Sequence, residues 1–141
     1  MFIGRHDAAV DPKGRIHLPA KIRDALDKFG GPMVLTISDR CLAGYPRKLW
    51  LEKYQALEKE PYTPERGDLL RAITENAAEL ELKNGRILIP QWLRDFAGIE
   101  KDAVIVGRIN KIEIWSAAAH ATVAADYEPQ KLSGLLRKLG F

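Results

Sequence analysis

The sequence predicts an α+β fold in which two copies of one small unit close on each other about a pseudo-twofold, and three observations predict it. The stretch Asp11-Pro12-Lys13-Gly14-Arg15-Ile16-His17-Leu18-Pro19 is restated 71 residues later as Leu82-Lys83-Asn84-Gly85-Arg86-Ile87-Leu88-Ile89-Pro90. At that offset Gly14, Arg15, Ile16, Pro19, Arg23 and Asp24 fall on Gly85, Arg86, Ile87, Pro90, Arg94 and Asp95, six identities in eleven positions where composition alone gives fewer than ~1. Ungapped extension then lays Val34-Leu35 on Ile105-Val106 and Asp39-Arg40 on Asn110-Lys111. Each copy reads as strand, tight turn, strand, short helix, strand, turn, strand. A lone hairpin is marginal in water, so the copies must share their apolar faces. Two copies are too few for a solenoid, which needs at least ~3 repeats, and a closed pseudo-dimer is the better reading.

Arg5 to Val10 is the first strand. In the turn that follows, Asp11 suits the first position of a type I turn, Pro12 fixes φ at the second, and Gly14 can take the positive φ that closes it. Arg15 leaves the turn on the second strand. Pro19 is placed in the first turn of a helix, where its missing N–H costs nothing, with Ile22, Leu26 and Phe29 as the apolar stripe and Gly30-Gly31-Pro32 as the stop. Met33–Ser38 and Cys41–Tyr45 are short strands around Asp39-Arg40. Pro46 opens a helix carrying Leu49, Trp50, Tyr54 and Leu57, and Pro64 opens another, to about Glu75, with Leu69, Leu70 and Ile73 turned inward. Ala77–Leu82 returns to strand, and Asn84-Gly85 is a strong hairpin signal. Pro90 opens a helix with Trp92, Leu93 and Phe96, capped by Gly98, before strands at Ala103–Ile109 and Ile112–Trp115. Ser116 suits the N-cap of an alanine-rich helix. Pro129–Phe141 is a last helix, with Leu132, Leu135, Leu136 and Leu139 on one side and Lys131, Arg137 and Lys138 making it basic; the stripe is a packing surface that a neighbouring chain could cover. The chain divides into a first unit at 5–50, a helical connector at 51–75, a second unit at 76–119 and a C-terminal helical extension at 120–141.

The absence of any apolar run of 18 residues and of a signal-peptide pattern at Met1–Asp7 gives the expectation of a soluble, cytoplasmic protein with no membrane partner. Cys41, the single cysteine, reads as a small buried hydrophobe, with no disulfide and no cysteine-based metal site. The net charge of +3 is modest but segregated. Lys and Arg outnumber Asp and Glu nine to five over Met1–Trp50, and the balance reverses from Lys53 to Leu82. A basic unit beside an acidic connector suits a polyanion on one face.

Catalysis has little support, and no enzyme, cofactor or metal is expected. His6, His17 and His120 are scattered, no nucleophile or phosphate-loop motif occurs, and alternation gives His17 a solvent-facing strand position. Binding fares better. Lys13 and Arg15 flank Gly14 on a turn, Arg5 lies on the strand before it, and Lys21 and Arg23 lie on the helix after it. The planar fork of Arg matches phosphate and the O6/N7 edge of guanine, and Asp11, four residues before Arg15, can aim that fork. In the second copy Lys83 and Arg86 remain, but Leu82 stands where Asp11 stood, so this loop is expected to bind less sharply or to serve as structure.

The tandem Asp11-x-x-Gly14-Arg15…Pro19 and Gly85-Arg86…Pro90 units, with Ile114-Trp115 closing the second, resemble the MraZ family, whose chains carry two SpoVT/AbrB-type units. The resemblance covers Met1 to Trp115 and the helical extension after it. It implies two tandem swapped-hairpin (AbrB-like) units forming a pseudo-twofold β-barrel flanked by helices, with several chains assembled into a ring. It also implies a nucleoid-associated bacterial transcriptional regulator, with repression the expected sign. Such a regulator binds double-stranded DNA at short direct repeats in the promoter of the division and cell wall gene cluster, upstream of its own gene. The family's DNA-contacting loop falls on Asp11, Lys13, Gly14 and Arg15, with Arg15 the principal contact, and its second motif falls on Leu82 and Arg86. A second reading, an antitoxin-like interaction module with secondary DNA binding, asks for a disordered C-terminal arm where this sequence has an apolar stripe.

Overall fold

The computed structural model describes every residue from Met1 to Phe141. Strand β1 (Arg5–Ala9) leads through the Asp11–Gly14 turn into β2 (Arg15–His17). Pro19 is the extended N-cap, rather than the first turn, of α1 (Ala20–Phe29), because its ψ of 149° keeps it outside the helix. Strands β3 (Met33–Ile37) and β4 (Leu42–Pro46) follow, then the connector helices α2 (Arg47–Glu58) and α3 (Pro64–Glu75). The second copy supplies β5 (Ala78–Leu80), β6 (Arg86–Leu88), α4 (Gln91–Ala97), β7 (Asp102–Gly107) and β8 (Ile112–Ser116). Helix α5 (Ala117–Ala124) begins where the Ser116 hydroxyl accepts from the Ala119 N–H at 3.0 Å, as a capping serine should, and α6 (Pro129–Lys138) ends the chain. No helix is long and apolar enough to cross a membrane.

Strand pairing interleaves the copies. The six-stranded antiparallel sheet has the order β1-β7-β8-β4-β3-β5, and β2 pairs with β6 in a separate ribbon. The first strand of each copy therefore lies on the third strand of the other, Arg5 opposite Val106 and Met33 opposite Leu80. Exchanging the copies reverses the order onto itself, which puts the pseudo-twofold between β4 and β8, where Leu42 faces Ile114. The closed barrel implied by the resemblance does not form. Strands β2 and β6 have three residues each and use them on one another, so they join β1 only through the Val10–Ile16 bridge and leave β1 and β5 as sheet edges.

One apolar cluster fills the space between sheet, ribbon and helices. Ile16, Leu18, Ile87 and Ile89 come from the ribbon and its exits, Ile22 and Leu26 from α1, Leu93 and Ala97 from α4, and Leu35, Leu42, Ile105, Ile112 and Ile114 from the sheet. Neither copy owns a separate core. Phe2, ahead of the first expected strand, is fully buried and stacks on Phe29 with ring centroids 6.0 Å apart. Helix α4 departs from the expected stripe: its two turns bury only Leu93 and Ala97, an i, i+4 pair, and Trp92 and Phe96 on the adjoining face stay 53% and 52% exposed. Leu69 of α3 likewise points outward. Cys41 is buried just before β4, and burial pushes its thiol up to about 11, so it is inert as a nucleophile. The buried carboxylate of Glu113 is satisfied by the Arg108 guanidinium at 3.0 Å and the Trp115 indole N–H at 3.2 Å.

Candidate nucleic-acid interface

The first turn is built around one carboxylate. Asp11 Oδ1 accepts from the backbone N–H of Lys13 at 3.0 Å and of Arg15 at 2.8 Å, and Oδ2 accepts from Arg15 Nε at 2.6 Å. Gly14, at φ 90°, closes the loop as a three-residue hairpin connection does, with its N–H donating to the Asp11 carbonyl at 2.9 Å. The Arg15 guanidinium is thus held through Nε, and its two terminal nitrogens are left for an incoming ligand. The Arg15 backbone N–H foremost, then its guanidinium, hold the Asp11 carboxyl below the ordinary aspartate value of 3.8 against the opposing cost of desolvation. A carboxyl depressed on folding contributes stability that is complete above the unfolded value and lost as pH falls through the folded one. We therefore expect an NMR titration to place Asp11 below 3.8 and the turn to be unchanged from pH 5 upward, about one unit clear of that value.

The second turn is a two-residue hairpin, with Asn84 at φ 54° and Gly85 at φ 75°, closed by reciprocal bonds between Lys83 and Arg86 at 2.9 and 3.0 Å. The two turns are tied to each other's copies. The Gly85 carbonyl accepts from the Leu18 N–H, and the Gly14 carbonyl from the Ile89 N–H, both at 2.9 Å. A Cβ on Gly14 would stand 2.6 Å from the Arg94 guanidinium carbon, and one on Gly85 would collide with Arg23. Arg94 is held there by Nε donating to the Ile89 carbonyl at 3.0 Å, and Arg23 lies 3.4 Å from His17 Nε2. The repeated Gly and Arg of the sequence are therefore partners across the pseudo-twofold. Arg23 is correspondingly occupied with Gly85 and His17, and Arg94 stands against Gly14 in the same way, a neighbour of the first turn that sequence reasoning did not single out although the matched spacing of Gly to Arg in both copies was the available signal.

In the β2–β6 ribbon Ile16 and Ile87 face each other in the core, so Arg15 and His17 of one strand and Arg86 and Leu88 of the other share the outward face. Arg15 and Arg86 are diagonal neighbours there, 38% and 37% exposed in their side chains. Arg86 Nη1 comes within 4.0 Å of Asp11 Oδ2, so the second copy, which has Leu82 in place of an acid, leans on the carboxylate of the first. Leu82 itself packs against the core, which explains an apolar residue at that position. Lys13 and Lys83 are exposed in the turns at opposite ends of the ribbon. Lys21 is exposed on α1. Arg5 is not brought to this group: it sits six residues back from Asp11, about 20 Å along an extended strand, where it pairs with Asp7 at 3.4 Å.

The family described as "MraZ protein, putative antitoxin-like" matches residues 1–71 and 73–132. The chain belongs to this family. A relative from Pelotomaculum thermopropionicum named "Transcriptional regulator MraZ" is 44% identical over 121 residues, covering 82% of this chain and 80% of its own length. Another of that name, from a Marinomonas species, is 40% identical over 135 residues and covers 92% of this chain and 89% of itself. A third, from Lachnoclostridium phytofermentans, is 44% identical over 118 residues, 82% of each chain. Membership thus brings the chain into a family of transcriptional regulators.

Proposed function

We propose that this chain regulates transcription by binding double-stranded DNA, reading short direct repeats in a promoter with the outward face of its β2–β6 ribbon. The observation that carries this reading is the meeting of Arg15 and Arg86, one from each copy, at the single carboxylate of Asp11 on an exposed face. Arg15 is the principal contact, Lys13 and Lys83 supply point charges to phosphates, Gly14 shapes the turn, and Arg86 follows a looser geometry because its carboxylate is farther away. The two units, at 5–50 and 76–119, act as tandem swapped-hairpin modules joined by the connector, and they work in the cytoplasm at the nucleoid.

Few contacts per loop give little affinity, so the proposal includes a ring of several chains that lays successive loops on successive repeats at high effective concentration. Phosphate contacts then dominate affinity and arginine base contacts set preference. The regulated genes are the division and cell wall cluster that includes its own gene, with repression as the sign. The antitoxin-like alternative needs a disordered C-terminal arm, and Pro129–Lys138 is helical.

Footprinting on the region upstream of its own gene tests the proposal. We expect protection of evenly spaced repeats, weakening by about 10³ or more between 50 and 200 mM salt if six or more phosphates are neutralised. Uniform weak protection at every salt concentration would remove the sequence-specific part.

A further inference from the structure

Two helical surfaces in this molecule lack partners, and they complement each other. Every residue from Ala125 to Phe141 is exposed, including all of α6. Leu132, Leu135 and Leu136 form an i, i+3, i+4 stripe on it that Leu139 extends, the last 75% exposed. A helix of 10 residues is below the roughly 12 to 15 that are marginal alone in water, and the interior Gly134 costs about 1 kcal/mol more. Helix α3, which follows the β3–β4 pair of the first copy as α6 follows β7–β8, is anchored on the sheet by the Thr36 hydroxyl donating to the Ile73 carbonyl at 2.7 Å. Helix α6 has no such seat.

The second surface is the groove between α2 and α3, about 690 Å³, walled by Tyr54, Leu57, Tyr62 and Leu70. It shares Tyr54, Leu57 and Leu70 with a deeper apolar cavity of about 290 Å³ toward the sheet. Neither connector helix contains a buried residue. The groove's arginines are engaged, Arg66 with Glu60 at 2.7 Å and Arg71 with Asp68 at 2.9 Å, so Glu58 and Glu75 on its walls are left without a cation. Helix α6 carries Lys131, Arg137 and Lys138 and no acidic residue.

We infer that α6 of one copy docks its leucine stripe into the α2–α3 groove of the next, with its cations beside Glu58 and Glu75. This inference rests on the reading of the protein as a particle of several chains and names the contact that builds it. The contact is heterologous, one donor helix and one acceptor groove per chain, so it generates a ring when the rotation closes. None of the residues lining the groove belongs to the β2–β6 ribbon.

The test uses two full-length variants and native mass measurement. The donor-blocked variant is Leu135→Asp with Leu136→Asp; the acceptor-blocked variant is Glu58→Lys with Glu75→Lys. All four positions are exposed, so both variants are expected to keep the fold by circular dichroism. Each alone is expected to be monomeric. Mixed in equal amounts they form a 1:1 dimer and nothing larger, because one unblocked helix meets one unblocked groove. Charge reversal on both sides of one chain, adding Lys131→Glu, Arg137→Glu and Lys138→Glu to the groove changes, restores the wild-type mass. A wild-type particle that survives both blocks keeps the ring but overturns this contact. A monomeric wild type overturns the ring reading itself, and docking of α6 in its own groove gives that same mass.

Discussion

Arg15→Ala is expected to abolish the shift of a promoter fragment carrying the direct repeats and to leave the fold and the particle mass unchanged. The side chain lies on the outward face of the ribbon, and its one ion-pair partner is Asp11. Truncation leaves Asp11 still accepting from the backbone N–H groups of Lys13 and Arg15, so the turn persists. What disappears is an aimed fork. A bidentate arginine–guanine pair is worth about 1–3 kcal/mol of discrimination, roughly 5- to 150-fold for one loop, and the losses multiply when several loops engage together. Arg15→Lys separates charge from geometry: it should keep salt-sensitive binding to any duplex and lose the preference for the repeats. Lys13→Ala should weaken binding to all sequences alike and lower the salt slope by about one phosphate. Arg86→Ala should do less than Arg15→Ala, since its guanidinium is 4.0 Å from the carboxylate that grips Arg15 at 2.6 Å. An Arg15→Ala protein that still selects the repeats in a gel shift would take the ribbon face out of the account.

The turns and most of the helices were legible because their signals are local. Asn84-Gly85 announces a hairpin through the positive φ that both residues accept, and Ser116 announces a helix start through a hydroxyl that reaches the third residue of α5. The repeat itself was legible because six of its residues recur at fixed spacing. Strand partnership was not, since the choice of β7 over β2 as the neighbour of β1 depends on how two copies bury one core between them. The arginines show the same limit. Arg15 and Arg23 look alike in sequence, both cationic and both beside the turn, yet one faces outward and the other fills the space left by Gly85 of the other copy. Only the relation between the copies tells them apart. The leucines of α6 and the outer residues of α2 and α3 conform to helical spacing, but spacing says only that a stripe exists and leaves open which molecule covers it.

Gly107→Ala is expected to lower stability by about 3–5 kcal/mol, the cost of emptying a buried phenylalanine site, and thus to reduce the melting temperature by roughly 10 °C for a chain of this size. The reason is a close approach of two backbones. A Cβ on Gly107 would lie 2.5 Å from the Phe2 carbonyl carbon and 2.6 Å from the Ile3 Cα, and backbone cannot rotate aside as a side chain would. The segment it would displace is held by the Phe2 N–H donating to the Ile109 carbonyl, the Ile109 N–H donating to the Phe2 carbonyl and the Gly107 N–H donating to the Gly4 carbonyl, each at 2.8 Å. Moving that segment draws Phe2 from a fully buried position against Phe29 and opens the end of the core where β1 begins. If loss of the Phe2 anchor is the mechanism, Gly107→Ala and Phe2→Ala remove the same packing, and the double variant should be much less destabilised than the sum of the two. Urea unfolding of the four proteins measures this coupling. A Gly107→Ala protein within about 0.5 kcal/mol of the wild type, the ordinary range of surface substitutions, would mean that the N-terminal segment can give way without disturbing the core.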